Sequence, residues 1–169
     1  MRQIDELQDL YVQIKFGLAD WKECVAWAVD RLVHGEEGED SDVTLLASSI
    51  DEDEINELVK KIIQRYLTGE EVDEEYWAGK YVVKLYKQFH EKEIDIFELD
   101  SILLKLYNNL DYPDWLVMLS RNCEYATDIP DFVKPFNDEF DYIVELWRSC
   151  NSMTEFNNRY DRTISNTHT

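Results

Sequence analysis

Glycine and proline are scarce in this chain, with five and three among 169 residues. A backbone cradle for phosphate needs clustered glycines, and no GxGxxG, GxSxG or P-loop spacing occurs. Cysteine is equally sparse. Cys24, Cys123 and Cys150 form an odd set without a CxxC pair, which excludes a disulfide framework and a clustered zinc site. They read as small core or surface thiols in a reducing cytosol. Long apolar runs are missing, so no segment reaches the roughly 20 residues a membrane helix needs. Residues 1–18 carry Asp5, Glu6 and Asp9 where a signal peptide would build its apolar stretch. The expectation is a soluble, cytoplasmic protein.

Positive charge is the largest deficit. Seventeen Lys and Arg stand against 37 Asp and Glu, a net charge of -20. Nucleic-acid binding requires a basic stripe that releases counterions, and anionic membranes attract polybasic segments. Both partners are excluded on charge. Disorder is excluded as well, because 44% of the residues are hydrophobic and 13% aromatic, well above what acidic disordered chains carry.

Apolar residues recur at the three- and four-residue spacing of helices. Ile4, Leu7, Leu10, Tyr11 and Ile14 share one face of a first helix that stops near Gly17. Asp20, with Glu23 as a capping-box partner, opens a second that ends at His34-Gly35. Glu36 to Asp40 read as an acidic loop, and Ser41 or Asp42 caps a short helix. Asp51 begins a helix with Ile55, Val59, Ile62, Ile63 and Tyr66 as its buried stripe, and Thr68-Gly69 ends it. Asp73 starts a long helix to about Lys92.

The Ile94–Asp100 stretch reads as a connector or lead-in to a helix ending at Asn108-Asn109. Pro113 suits the first turn of the next helix. Pro130 and Pro135 break the chain between about 127 and 136. A penultimate helix carries Phe140, Ile143, Val144 and Trp147. Ser152 and Glu155 cap a last short one over Phe156 and Tyr160, with a frayed polar tail over 163–169. The expected fold is all-α: one domain over 1–162, a bundle or short α-solenoid-like array of seven to nine helices.

Catalytic chemistry finds little support. His34, His90 and His168 lack HExxH or ExxH partners and read as surface or cap residues. Asp51-Glu52-Asp53-Glu54 resembles the start of a calcium loop, but positions 6 and 12 are Asn56 and Ile62 instead of Gly and Glu. Acids on the helix dipole explain it better. No cofactor, metal site or catalytic residue is expected, and the chain reads as non-enzymatic.

The distribution of acid is more informative. Between Glu36 and Glu75 lie fifteen acids and three bases, Lys60, Lys61 and Arg65. Ordinary helix capping accounts for each cluster separately. A surface that meets a basic protein accounts for them together, since strong negative potential speeds capture of a cationic partner. Tyr76 and Trp77 follow Glu74-Glu75 directly, and Tyr112 and Trp115 flank Pro113-Asp114. Tight interfaces combine a charged rim with aromatic anchors, although aromatics at helical spacing commonly pack in a core.

In size, charge and segments such as Ala19-Asp20-Trp21-Lys22 and Asp111-Tyr112-Pro113, the chain resembles the immunity proteins of bacterial toxin–immunity systems, including contact-dependent growth inhibition. That resemblance implies binding to a cognate toxin domain, often a basic nuclease. On this expectation Glu70, Glu71, Asp73, Glu74 and Glu75 steer the partner and Tyr76 or Trp77 anchors it. Glu36, Glu37, Glu39 and Asp40 form a second candidate patch. The competing expectations are a nucleic-acid mimic that inhibits a DNA- or RNA-binding protein, an enzyme with a carboxylate site, and a structural subunit or adaptor.

Overall fold

A computed structural model describes residues 2–35, 40–66 and 73–167. The described residues are all-helical, with nine α-helices, one 3-10 turn and no strand. The all-α expectation therefore holds. The chain divides into two compact units, Met1–Val72 and Asp73–Thr169.

The first unit contains α1 (Arg2–Lys15), α2 (Lys22–Val33), α3 (Ser41–Ser48) and α4 (Glu52–Tyr66). Helix α2 packs most extensively on α3, and α4 contacts the other three. Leu7, Ala28, Leu46, Val59, Ile62 and Ile63 are fully buried, as the helical spacing predicts. Helix α1 stops as Gly17 takes φ +73°, where Gly17 N donates to Ile14 O and Leu18 N to Gln13 O. This paired bonding satisfies carbonyls that the helix end leaves open.

Two starts in this unit differ from expectation. Asp20 holds the backbone N–H of Lys22 at 2.8 Å, not that of Glu23. The cap of α3 is Asp40, whose carboxylate accepts from the N–H groups of Asp42 and Val43. Ser41 and Asp42 already lie inside the helix. Asp51 does open α4, accepting from Glu54 N at 3.0 Å. The Thr68-Gly69 stop falls outside the described residues.

The second unit contains α5 (Glu74–His90), α6 (Ile96–Asn109), α7 (Asp114–Ala126), a 3-10 turn (Pro130–Phe132), α8 (Val133–Ser149) and α9 (Met153–Thr167). Helix α8 packs against α5, α7 and α9, and α6 packs against α5 and α7. Asp73 caps α5 through Tyr76 N at 3.0 Å, and Asp95 caps α6 through Glu98 N at 2.8 Å. The Ile94–Asp100 stretch is thus mostly helix.

Pro135 does not break the chain as its type suggests. It sits in the first turn of α8, where backbone N–H groups have no intrahelical acceptor, so proline forfeits nothing. Helix α9 also extends well beyond the Phe156–Tyr160 pattern. Its start follows the expected chemistry: Ser152 Oγ accepts from Glu155 N, and Glu155 accepts from Asn151 N.

Aromatic side chains hold this unit together. Trp147 is fully buried and stacks on Phe156 with ring centroids 3.7 Å apart. Trp115 meets Trp147 edge-on at 5.0 Å. Burial of rings this large supplies much of the apolar area, and the edge-on geometry adds about 0.5–1.5 kcal/mol per pair.

Candidate partner-binding surface

Asp40 and Asp42 are committed to the fold of the first unit. Arg65 reaches both, pairing with Asp40 at 2.9 Å and Asp42 at 3.0 Å. Lys61 adds a second cation to Asp42 at 3.0 Å. The hydrogen bond from Lys61, with the positive charge of Lys61 and Arg65, outweighs burial and holds the Asp42 carboxyl below its usual range. Asp40 therefore serves as helix cap and ion-pair partner together. Glu36, Glu37 and Glu39 lie outside the described residues.

The described part of the Glu70–Trp77 patch is likewise built into its unit. Asp73 is the α5 cap. Glu75 accepts a hydrogen bond from the Trp115 indole N–H at 2.8 Å. The Tyr76 hydroxyl donates to Cys150 O at the long distance of 3.5 Å, and its ring lies edge-on to Trp147. Lys80 sits over the same ring and donates to the carbonyls of Trp147 and Cys150, closing the end of α8. Trp77 is only 8% exposed, and Glu74 is half-buried. Glu70 and Glu71 lie outside the described residues. Of residues 73–77 only Asp73, itself the cap, is exposed.

Many acids of the described residues face solvent, and the densest run of them lies in the first two turns of α4. Asp51, Glu52, Asp53 and Glu57 are exposed, and among the described residues no cation pairs with them. The two nearest bases in sequence beyond Lys60, namely Lys61 and Arg65, are engaged by Asp40 and Asp42. Beside this acidic turn lies a groove of about 420 Å³, lined by Trp21, Val25, Ile50 and Ile55 with the polar Asp20, Lys22, Ser49 and Glu52. The helical periodicity of the sequence does not reveal it, because Ile50 stands between helices and shares a face with neither. The available signal is Ile50 itself, an aliphatic residue set between Ser48-Ser49 and Asp51.

Other reactive groups are placed for structure. Burial pushes the thiols of Cys24 and Cys123 up to about 12, far from the range of a nucleophilic thiolate. Cys150 is buried too. His34 Nδ1 approaches the backbone oxygen of Asp30 at 2.8 Å, and His90 Nδ1 that of Tyr86 at 2.9 Å. Both contacts are local to a helix end, as the cap reading expects. The Tyr86 hydroxyl donates to Asp141 at 2.6 Å, which together with desolvation raises the phenol pKa. Among the described residues no group of three His, Cys, Asp or Glu is arranged to hold a metal. No helix among them is long and apolar enough to cross a membrane.

Residues 5–149 match the family model described as "Uncharacterized protein conserved in bacteria (DUF2247)". The match spans most of the chain, which belongs to that bacterial family. No curated protein and no solved structure matches the chain significantly.

Proposed function

We propose that this member of the family is a non-enzymatic binding protein that neutralises a cognate basic protein, of the kind found as toxin domains in bacterial toxin–immunity systems. The observation that carries the reading is the unpaired acid in the first two turns of α4. Asp51, Glu52, Asp53 and Glu57 face solvent without cationic partners among the described residues, in a chain of net charge -20. Unneutralised charge of this size opposes compaction, and it accelerates encounter with a cationic surface. A nuclease groove is such a surface, because its substrate is polyanionic. Carboxylates presented there compete with nucleic acid.

The test is association kinetics with the protein encoded beside this gene. Tight, stoichiometric binding is expected, with an association rate that falls as salt rises. Replacing Glu52, Asp53 and Glu57 by Lys should slow association about tenfold at low salt. Salt-independent association, or an unchanged rate in the triple variant, overturns the reading.

A further inference from the structure

The groove beside α4 has a feature that ordinary helix capping does not explain. Asp51 is the N-cap of α4, since its carboxylate accepts from Glu54 N. Ile50 therefore holds the position before the cap, and Ile55 the fourth position of the helix. An apolar pair at these places usually closes on itself and fixes the entry of the chain. Here Ile55 is 3% exposed and Ile50 is 95% exposed. Both line the groove, together with Val25 and the half-exposed Trp21 of the α2 start. The site thus offers an apolar wall and a free aliphatic side chain; Asp20 and Glu52 outnumber Lys22 in its lining, and the exposed Asp51 and Asp53 flank Glu52.

Charge selects the occupant. Residues 1–72 carry 18 acidic and 7 basic side chains. A second copy of the chain would bring the same excess, and anionic lipid or nucleic acid would be repelled. We propose that this groove binds a lysine- or arginine-rich protein segment whose apolar side chain inserts between Ile50 and Ile55. The basic side chains of the segment meet Glu52 and its neighbours Asp51 and Asp53, while the apolar anchor removes Ile50 from water. This inference rests on the reading of the protein as a binder of basic proteins and gives that reading a docking point.

The probe is a synthetic lysine- and leucine-rich peptide, titrated into the full chain and followed by backbone amide chemical shifts. Two control peptides carry Glu for Lys or Ser for Leu. Shifts centred on Trp21, Val25 and Ile50–Ile55 are expected, with neither control binding comparably. Ile50→Ser should weaken binding about tenfold. Its thermal melt should match the parent, because Ile50 makes so little contact. Val29→Ser, on the α2 surface outside the groove lining, should bind as the parent does. Shifts spread over other acidic surfaces, equal binding by the serine-substituted peptide, or unchanged affinity in Ile50→Ser overturns the proposal. So does self-association of the chain that Ile50→Ser abolishes. Failure here with intact binding of the neighbouring gene product removes only the docking point. Binding of the peptide at the groove without any binding of that product removes only the toxin-neutralising reading.

Discussion

The backbone of Gly79 lies directly against the indole of Trp147, and a Cβ there would overlap Cδ2, Cε2 and Cζ2 of the ring. Glycine is otherwise a poor choice in the middle of α5, worth about 1 kcal/mol less than alanine in a helix. The close approach explains it, since Trp147 has no room to retreat. It is fully buried, stacked on Phe156 and met edge-on by Trp115. Gly79→Ala should therefore destabilise the protein by about 1–3 kcal/mol after the helix-propensity gain is subtracted. Urea denaturation checks this. A stabilised alanine variant would show that Trp147 repacks freely.

Lys92 presents the opposite case, an ordinary residue where glycine is preferred. Its φ is 61°. Lys92 N donates to Phe89 O and Glu93 N to Gln88 O, the same pairing that ends α1 at Gly17. The left-handed conformation costs a residue with a Cβ about 1–2 kcal/mol. Glycine avoids that cost but gives up about 0.5–1 kcal/mol of chain entropy. Lys92→Gly should stabilise the protein by about 0.5–1 kcal/mol, read as a rise in the urea midpoint with an unchanged slope.

Asp42 gives the first unit a definite response to acid. Its carboxyl lies below the ordinary value of 3.8 because Lys61 and Arg65 bind the charged form. A depressed carboxylate contributes stability that is complete above the unfolded value. That contribution is lost as pH falls through the folded one. Asp42→Asn should cost about 1–2 kcal/mol at neutral pH, the moderate figure reflecting two cations that remain partly in solvent. The difference between the two proteins should shrink as pH drops below 3.8. Denaturation midpoints across that range test it, and a pH-independent difference would assign the effect to packing.

Helices were legible in the sequence because their apolar stripes, caps and stops are local properties. Asp51, Asp73, Ser152 and Gly17 each act within a few residues of themselves. Pro135 misleads because its meaning depends on whether a helix has already begun, and α8 begins only at Val133. Asp40 rather than Ser41 or Asp42 is the cap, and the partners involved lie far off in sequence: Arg65, 25 residues away, pairs with Asp40 and, with Lys61, takes up the Asp42 carboxylate. The groove is less legible still. It depends on how the link at Ile50 lies against the start of α2, which no periodicity encodes. Acid content could be counted from the sequence, but which acids are already used by the fold could not.

Glu75 illustrates that last distinction and offers a clean test of it. Its carboxylate is the acceptor for the indole N–H of Trp115, a side chain 3% exposed. Removing the acceptor strands a buried donor, at a cost of about 1–3 kcal/mol. Glu75→Ala should therefore lower the urea midpoint, whereas Glu75→Gln, which keeps a carbonyl acceptor, should largely preserve it. Trp77→Ala should cost about 3–5 kcal/mol, as for other buried aromatics. If Glu75 instead steers a basic partner, Glu75→Gln will slow association at low salt while its denaturation curve stays at the parent's position. Structural use of Glu75 predicts the reverse pattern for Glu75→Ala, a lowered midpoint with the association rate of the folded fraction unchanged.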